Sequence, residues 1–228
     1  MSAIALIPCR KGSSRLKGKN MRLLAGKPLL YWAIKGAIDS GRFKRIVVTT
    51  DWDVCADVAR DMCVDALMRP PELCTADAHD FQWVSHAMDR FPGFDVFCIL
   101  RPTSPFRTGD TITRAMEDFL SGPRCDSMRG VSRTPAHPRK SWVVAGKFMF
   151  PYDDGTIMNI PFYDLPTQAL GDVYVQNGCI HIAWAATLEG GDVSGLVIRP
   201  FVVEGREAVD INTAEDLEWA EYLMGRET

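Results

Sequence analysis

What this 228-residue chain lacks excludes several classes of protein before any motif is read. No uninterrupted apolar run approaches the roughly 20 residues that a membrane-crossing helix needs. No basic leader precedes the short apolar stretch at residues 3–8, so neither a membrane partner nor a signal peptide is expected. The seven cysteines (Cys9, Cys55, Cys63, Cys74, Cys98, Cys125 and Cys179) are odd in number and form no C-x-x-C pair. That spacing argues against a disulfide scaffold and structural zinc, and for a reducing, cytoplasmic location. Low-complexity tracts and internal repeats are absent. Two common phosphate-binding motifs fail as well. G-x-G-x-x-G does not occur, and Gly12 and Gly18 stand too far apart for G-x-x-x-x-G-K-[ST], with Asn20 after Lys19.

Against these absences stands one concentration of charge. The net charge is −3, yet Arg10, Lys11, Arg15, Lys17, Lys19 and Arg22 crowd into residues 10–22 with no acidic residue among them. The basic character is therefore local, which points to a small anionic ligand rather than a nucleic-acid track. Such a run directly after an apolar strand offers unpaired backbone N–H groups together with cationic side chains, the makings of a phosphate site.

Composition is that of a globular protein, 46% hydrophobic and 24% charged, and the length suits one domain over 1–228. Strand patterns at 3–8, 45–50, 64–68 and 95–100 alternate with helix patterns at 27–41, 53–62, 79–91 and 110–120. Pro28 fits the first turn of its helix and Gly41 its end. Short strands without polar alternation, separated by helices, predict a three-layer α/β fold whose mostly parallel sheet is covered on both faces. Ligands bind such sheets where strands end, at the loops beginning near residues 9, 49 and 101. Residues 133–175 carry five prolines and little periodicity, and read as an excursion with a hairpin near 141–155. Strands resume at 177–184 and 195–203, and a helix at 212–224 closes the chain, with Thr213 and Asp216 as a capping box.

Six blocks, in order along most of the chain, resemble the acylneuraminate (sialic-acid-type) cytidylyltransferase family. They are P-C-R-K-G-S-S-R-L-K-G-K-N (8–20), M-R-P-P-E-L (68–73), R-P-T-S-P-F-R (101–107), H-P-R-K (137–140), Q-N-G-C-I-H-I (176–182) and V-D-I-N-T-A-E-D-L (209–217). The resemblance implies a nucleotidyltransferase-like Rossmann variant. It would move CMP from CTP to a 2-keto-3-deoxy sugar acid with Mg²⁺ as cofactor, as a homodimer. Arg10 and Lys19 would grip the triphosphate, supported by Ser13 and Arg15, with Asn20 near the nucleotide. Arg69 would contact the base, Ala78 and Asp80 would line its pocket, and Asp210 would hold the metal.

Three features depart from the family. Arg101 stands where the family usually has Gln and adds charge beside the nucleotide. Asn212 stands where an aspartate would pair with Asp210 on the metal; it can offer a neutral oxygen or cap the final helix. Asp80 likewise has two readings, acceptor from the cytosine amino group or helix-capping acid. The basic residues expected before Asn177 to clasp the acceptor carboxylate are missing, the positions being Thr167, Asp172 and Val175. Either Lys140, Arg139 or Arg133 substitutes, or the acceptor is not a standard sialic acid. Lys140 matches a lysine that reaches the site from a dimer partner, while Gln168, Tyr174, Gln176 and Asn177 could bond sugar hydroxyls. His181 reads as a packed strand residue. Nucleotidyl transfer to a sugar phosphate or phosphonate, and a non-catalytic nucleotide sensor, stand as rival functions.

Overall fold

The computed structural model describes residues 1–13, 15–134 and 136–226; Ser14 of the basic turn and Pro135 of the excursion lie outside them. Strand β1 (Ala3–Cys9) is followed by a small clip of β2 (Leu23–Leu24) and β3 (Lys27–Pro28), then by α1 (Leu29–Ser40). Next come β4 (Arg45–Thr50), α2 (Asp53–Asp61), β5 (Asp65–Met68), α3 (Asp80–Arg90), β6 (Val96–Ile99), α4 (Gly109–Ser121) and β7 (Ser127–Arg133). An arm between β7 and the returning strand holds two small antiparallel sheets. These are β8 (Trp142–Ala145) with β9 (Phe148–Pro151), and β10 (Thr156–Ile157) with β11 (Ile160–Pro161). Then come β12 (Tyr174–Trp184), β13 (Ile198–Val202) and α5 (Ala214–Met224).

The central sheet has seven strands in the order β13-β7-β12-β6-β1-β4-β5. β12 alone runs against its neighbours β6 and β7; the other pairings are parallel. Both faces are covered, which explains why the strands show no polar alternation. Along β1, Ala3, Ala5, Ile7 and Cys9 pack with Leu30, Ile34, Cys55 and Ile112 from α1, α2 and α4. Ile4 and Leu6 face the other way, onto Trp83, Val84 and Ala87 of α3. Each large apolar side chain buried in this way contributes about 1.5–3 kcal/mol. The carboxyl ends of β1, β4 and β6 and the start of β12 consequently share one rim.

The expected elements match closely, with three differences. β7 is not expected from its sequence, because Arg129, Ser132 and Arg133 break any apolar run. It forms because β12 and β13 pair on either side of it and bury Ser127, Met128 and Gly130. Tertiary context overrides strand propensity here. Pro28 is the N-cap of α1, which starts at Leu29. Asn177-Gly178 lies inside β12, where the register shifts between Gln176 and His181 and bends the strand toward the rim. The Thr213–Asp216 capping box of α5 forms as expected.

Candidate active site

A cleft of about 450 Å³ opens on the shared rim. Its walls include Arg10, Ser13, Arg15, Lys19 and Asn20 of the basic turn, and Arg69 and Ala78 beyond β5. Asp80 on α3, Arg101 and Thr103 after β6, Gln176, Asn177 and Gly178 on β12, and Asp210 with Asn212 complete it. Five cationic side chains thus face two carboxylates. A site of that balance attracts a multiply charged anion.

The turn is fixed by a left-handed glycine and by hydrogen bonds to neighbouring segments. Gly18 adopts φ +64°, a left-handed conformation that favours glycine, and starts the single helical turn that presents Lys19 and Asn20. Lys11 N donates to Asp51 Oδ1 at 2.7 Å, and Arg10 donates to the Thr75 carbonyl at 2.7 Å. Beneath them, the Cys9 thiol donates to Cys55 Sγ at 2.8 Å, tying the end of β1 to α2. Lys19 Nζ donates to Asn212 Oδ1 at 3.1 Å, and Asn212 Nδ2 donates to Asp210 Oδ2 at 2.9 Å. Burial lowers the Lys19 pKa below the ordinary lysine value; Asp210 opposes that shift while Arg15 and Arg101 reinforce it.

Asp210 reaches the rim because Ile211 N donates to the Thr103 carbonyl at 2.8 Å, anchoring the last loop to the loop after β6. Its Oδ1 is buried with no hydrogen-bond partner among the described residues. Gly178 makes this approach feasible. A Cβ there would stand 2.9 Å from Asp210 Oδ1 and 3.0 Å from Thr103 Oγ1.

On the α3 side, Arg69 Nε donates to Thr49 Oγ1 at 2.7 Å, and its guanidinium lies 4.6 Å from the Trp83 ring centroid. Burial lowers its pKa to about 10, and NH2 has no partner among the described residues. The Trp83 indole donates to Asp80 Oδ1 at 3.0 Å, and Asp80 Oδ2 accepts from Arg101 NH2 at 2.5 Å. Asp80 caps nothing: the Gln82 side chain accepts from His79 N at the start of α3. Both Asp80 oxygens are engaged within the protein, and the charge that Arg101 brings is matched by that carboxylate. Asn212 is not the N-cap of α5, which is Thr213.

The residues expected at the site divide cleanly. Those from the basic turn, Arg69, Ala78, Asp80, Arg101, Gln176, Asn177, Asp210 and Asn212 share the cleft, whereas Lys140, Gln168 and Tyr174 do not line it. Arg133 and Arg139 do not line it either; they pair with Asp172 and Asp153. His181 packs edge-on against Phe97 with centroids 6.2 Å apart, as a strand residue does. Three contributors carry no site role in the sequence reading. Trp83 supports Arg69, Thr103 anchors the Asp210 loop, and the fully buried Arg107 donates to the carbonyls of Cys179 at 2.7 Å and Arg101 at 3.1 Å. Arg107 was visible as the last letter of R-P-T-S-P-F-R, but burial of its charge is not a sequence property.

A cationic cleft at the carboxyl rim of a mostly parallel sheet, backed by a free carboxylate oxygen, defines an α/β nucleotidyltransferase-type protein. The cytidylyltransferase family model matches residues 4–131, and the chain belongs to that family. It is 34% identical to the CMP-N,N'-diacetyllegionaminic acid synthase of Legionella pneumophila, over 98% of this chain and 97% of that protein. It is 30% identical to the N-acylneuraminate cytidylyltransferase of Escherichia coli over 95% of this chain, which spans only 51% of that relative's length. The pseudaminic acid cytidylyltransferase of Campylobacter jejuni is 25% identical, over 98% of this chain and 96% of that protein. Among solved structures, CMP:2-keto-3-deoxy-manno-octonic acid synthetase complexed with CTP superposes with a TM-score of 0.73, covering 100% of both chains. At 18% identity that likeness concerns the fold.

Proposed function

We propose that this protein transfers CMP from CTP to a 2-keto-3-deoxy sugar acid of the nonulosonate kind and releases pyrophosphate. The carrying observation is the cleft itself, whose five cations suit a triphosphate of about four negative charges. In this reading Arg10 and Lys19 hold the phosphates, Ser13 and Arg15 assist, and Asn20 lies near the nucleotide. Arg69, backed by Trp83, directs its unpartnered NH2 at an acceptor atom of the base, beside Ala78. The anomeric hydroxyl oxygen of the sugar acid attacks the α-phosphorus. A new O–P bond forms, the bond to the β-phosphate oxygen breaks with its electron pair leaving on pyrophosphate, and the hydroxyl proton passes to water. The side chains of the turn lower the barrier by position and by charge.

Asp210 Oδ1, buried without a partner, fits one coordination position of Mg²⁺. Asn212 as placed gives its carbonyl oxygen to Lys19, so the protein's share of such a site is small. When bound, the ion would neutralise charge building on the phosphate oxygens.

The proposal extends to a cytoplasmic homodimer. The arm exposes Val144, Phe148, Phe150, Tyr152 and Met158, an apolar surface of the kind a partner covers. Through it, Lys140, Gln168 and Tyr174 would serve the partner's cleft. Light scattering on the purified chain tests this assembly, and a monomer at micromolar concentration would refute it.

The function is tested by pyrophosphate release from CTP and Mg²⁺ with N-acetylneuraminic, N,N'-diacetyllegionaminic and 2-keto-3-deoxy-manno-octonic acids. Turnover with one of them is expected. Turnover only with a phosphorylated sugar would move the acceptor class. Tight CTP binding with no turnover on any acceptor would favour the sensor, the reading to which the Lys19–Asn212 contact lends support.

A further inference from the structure

Without the basic residues expected before Asn177, an acceptor carboxylate in this cleft lacks part of its expected compensation, which is costly for a buried charge. We propose that Arg101 is the specificity-determining residue that binds this carboxylate, a proposal that rests on the transfer reaction above. The strand order β5-β4-β1-β6-β12 places Arg69 on one flank of the basic turn and Arg101 on the other. With phosphates over the end of β1 and the base at Arg69, the acceptor lies over β6 and β12. Arg101 follows β6 and lines the cleft together with Gln176 and Asn177.

Elimination leads to the same residue. Arg10, Arg15 and Lys19 belong to the phosphate turn. Arg133, Arg139 and Lys140 do not line the cleft of their own chain. Among the described residues, Arg101 is the one cation lining the acceptor flank.

Its surroundings hold it ready. One donor of the guanidinium is spent on Asp80 Oδ2, and Asp80 is itself fixed by the Trp83 indole, so the fork is aimed without being used up. The Arg101 side chain is 40% exposed. Behind the pair stands Arg129, held by the Ser194 hydroxyl at 2.5 Å and within electrostatic reach of both Asp80 and Arg101. Asp192 lies within reach of Arg129 as well, so the charges behind the fork are matched, and the exposed remainder of the Arg101 guanidinium is what an acceptor carboxylate would meet. The planar fork suits a carboxylate in a way the neutral amide of glutamine does not.

The experiment compares wild type with Arg101→Ala and Arg101→Gln. Calorimetry gives the CTP Kd, and pyrophosphate release gives KM for the sugar acid turned over and for its methyl ester. Loss of one charge-assisted pair should raise the free-acid KM about 10- to 100-fold, with CTP affinity within about two-fold of wild type. The methyl ester, already lacking the charge, should be a poor substrate of all three proteins alike. An active wild type whose Arg101→Ala variant keeps its free-acid KM, or loses CTP binding instead, would overturn the proposal alone. A wild type that binds CTP yet turns over no sugar acid would overturn the transfer reading and this proposal together.

Discussion

The two flanks of the cleft are built differently. The nucleotide flank, on β1, β4 and β5, is a charged turn over a buried apolar floor. Its backbone is pinned where Lys11 N donates to Asp51, the Arg10 guanidinium donates to the Thr75 carbonyl, and Gly12 has open space around it. The acceptor flank, on β6 and β12, is interlocked. Gly178 fits against Asp210 and Thr103 with no room for a methyl group, and Arg107 is buried beneath, tying two strand ends together. The first flank is shaped to receive charge by adjusting around it. The second is shaped in advance, so its specificity is set by which side chain stands at each position. The departures from the family pattern at Arg101 and Asn212, and the missing clamp, all fall outside the basic turn.

The largest expected effect breaks the nucleotide flank alone. Lys19→Ala should weaken CTP binding by about 100-fold while leaving the circular dichroism spectrum and melting temperature near wild type. The fold is spared because Lys19 packs on no core cluster and its one side-chain bond is to Asn212. Calorimetric titration with CTP is the check. An unchanged Kd would remove the basic turn from the site and leave only the architecture standing.

A smaller effect contrasts the two flanks directly. Gly178→Ala forces a methyl group against Asp210 Oδ1 and Thr103 Oγ1, and should cost about 1–3 kcal/mol of stability together with most of the turnover. Gly12→Ala meets nothing within 4 Å and should leave stability within about 0.5 kcal/mol of wild type. Chemical denaturation of both variants measures the difference. Equal stabilities would mean the acceptor flank is as compliant as the nucleotide flank.

How much of this was legible in the sequence follows the same division. The nucleotide flank is local, with its charge, its glycines and its strand all adjacent in the chain, so residues 4–20 alone raise the expectation of a phosphate site. The acceptor flank is assembled from β6, β7, β12 and the last loop, and much of its logic is contact. Nothing in Asp80 or Arg101 alone shows that they pair, or that Trp83 fixes one of them. β7 escaped notice because a strand held between two partners tolerates Arg129 and Gly130, which a free strand would not. The arm was recognisable as an excursion through its prolines and lack of period, and its exposed Val144, Phe148 and Phe150 became evident only once the hairpin had formed.

The mildest test uses protons on the floor of the acceptor flank. His181 is buried, and burial beside Arg129 lowers its pKa to about 3; Arg101 acts in the same direction, while Asp80 and the Val193 backbone oppose it. The native state therefore keeps the imidazole neutral, whereas the unfolded chain takes up a proton below about pH 6.5. Between those limits the unfolded state binds more protons, so stability falls as pH falls, by about 1.4 kcal/mol per pH unit. Urea unfolding should show wild type roughly 2 kcal/mol less stable at pH 5 than at pH 7 from this group. In His181→Gln that portion of the slope should vanish, whatever the variant's starting stability. If the two proteins keep parallel pH profiles, the imidazole is accessible to protons, and the acceptor flank is looser than its packing against Phe97 implies.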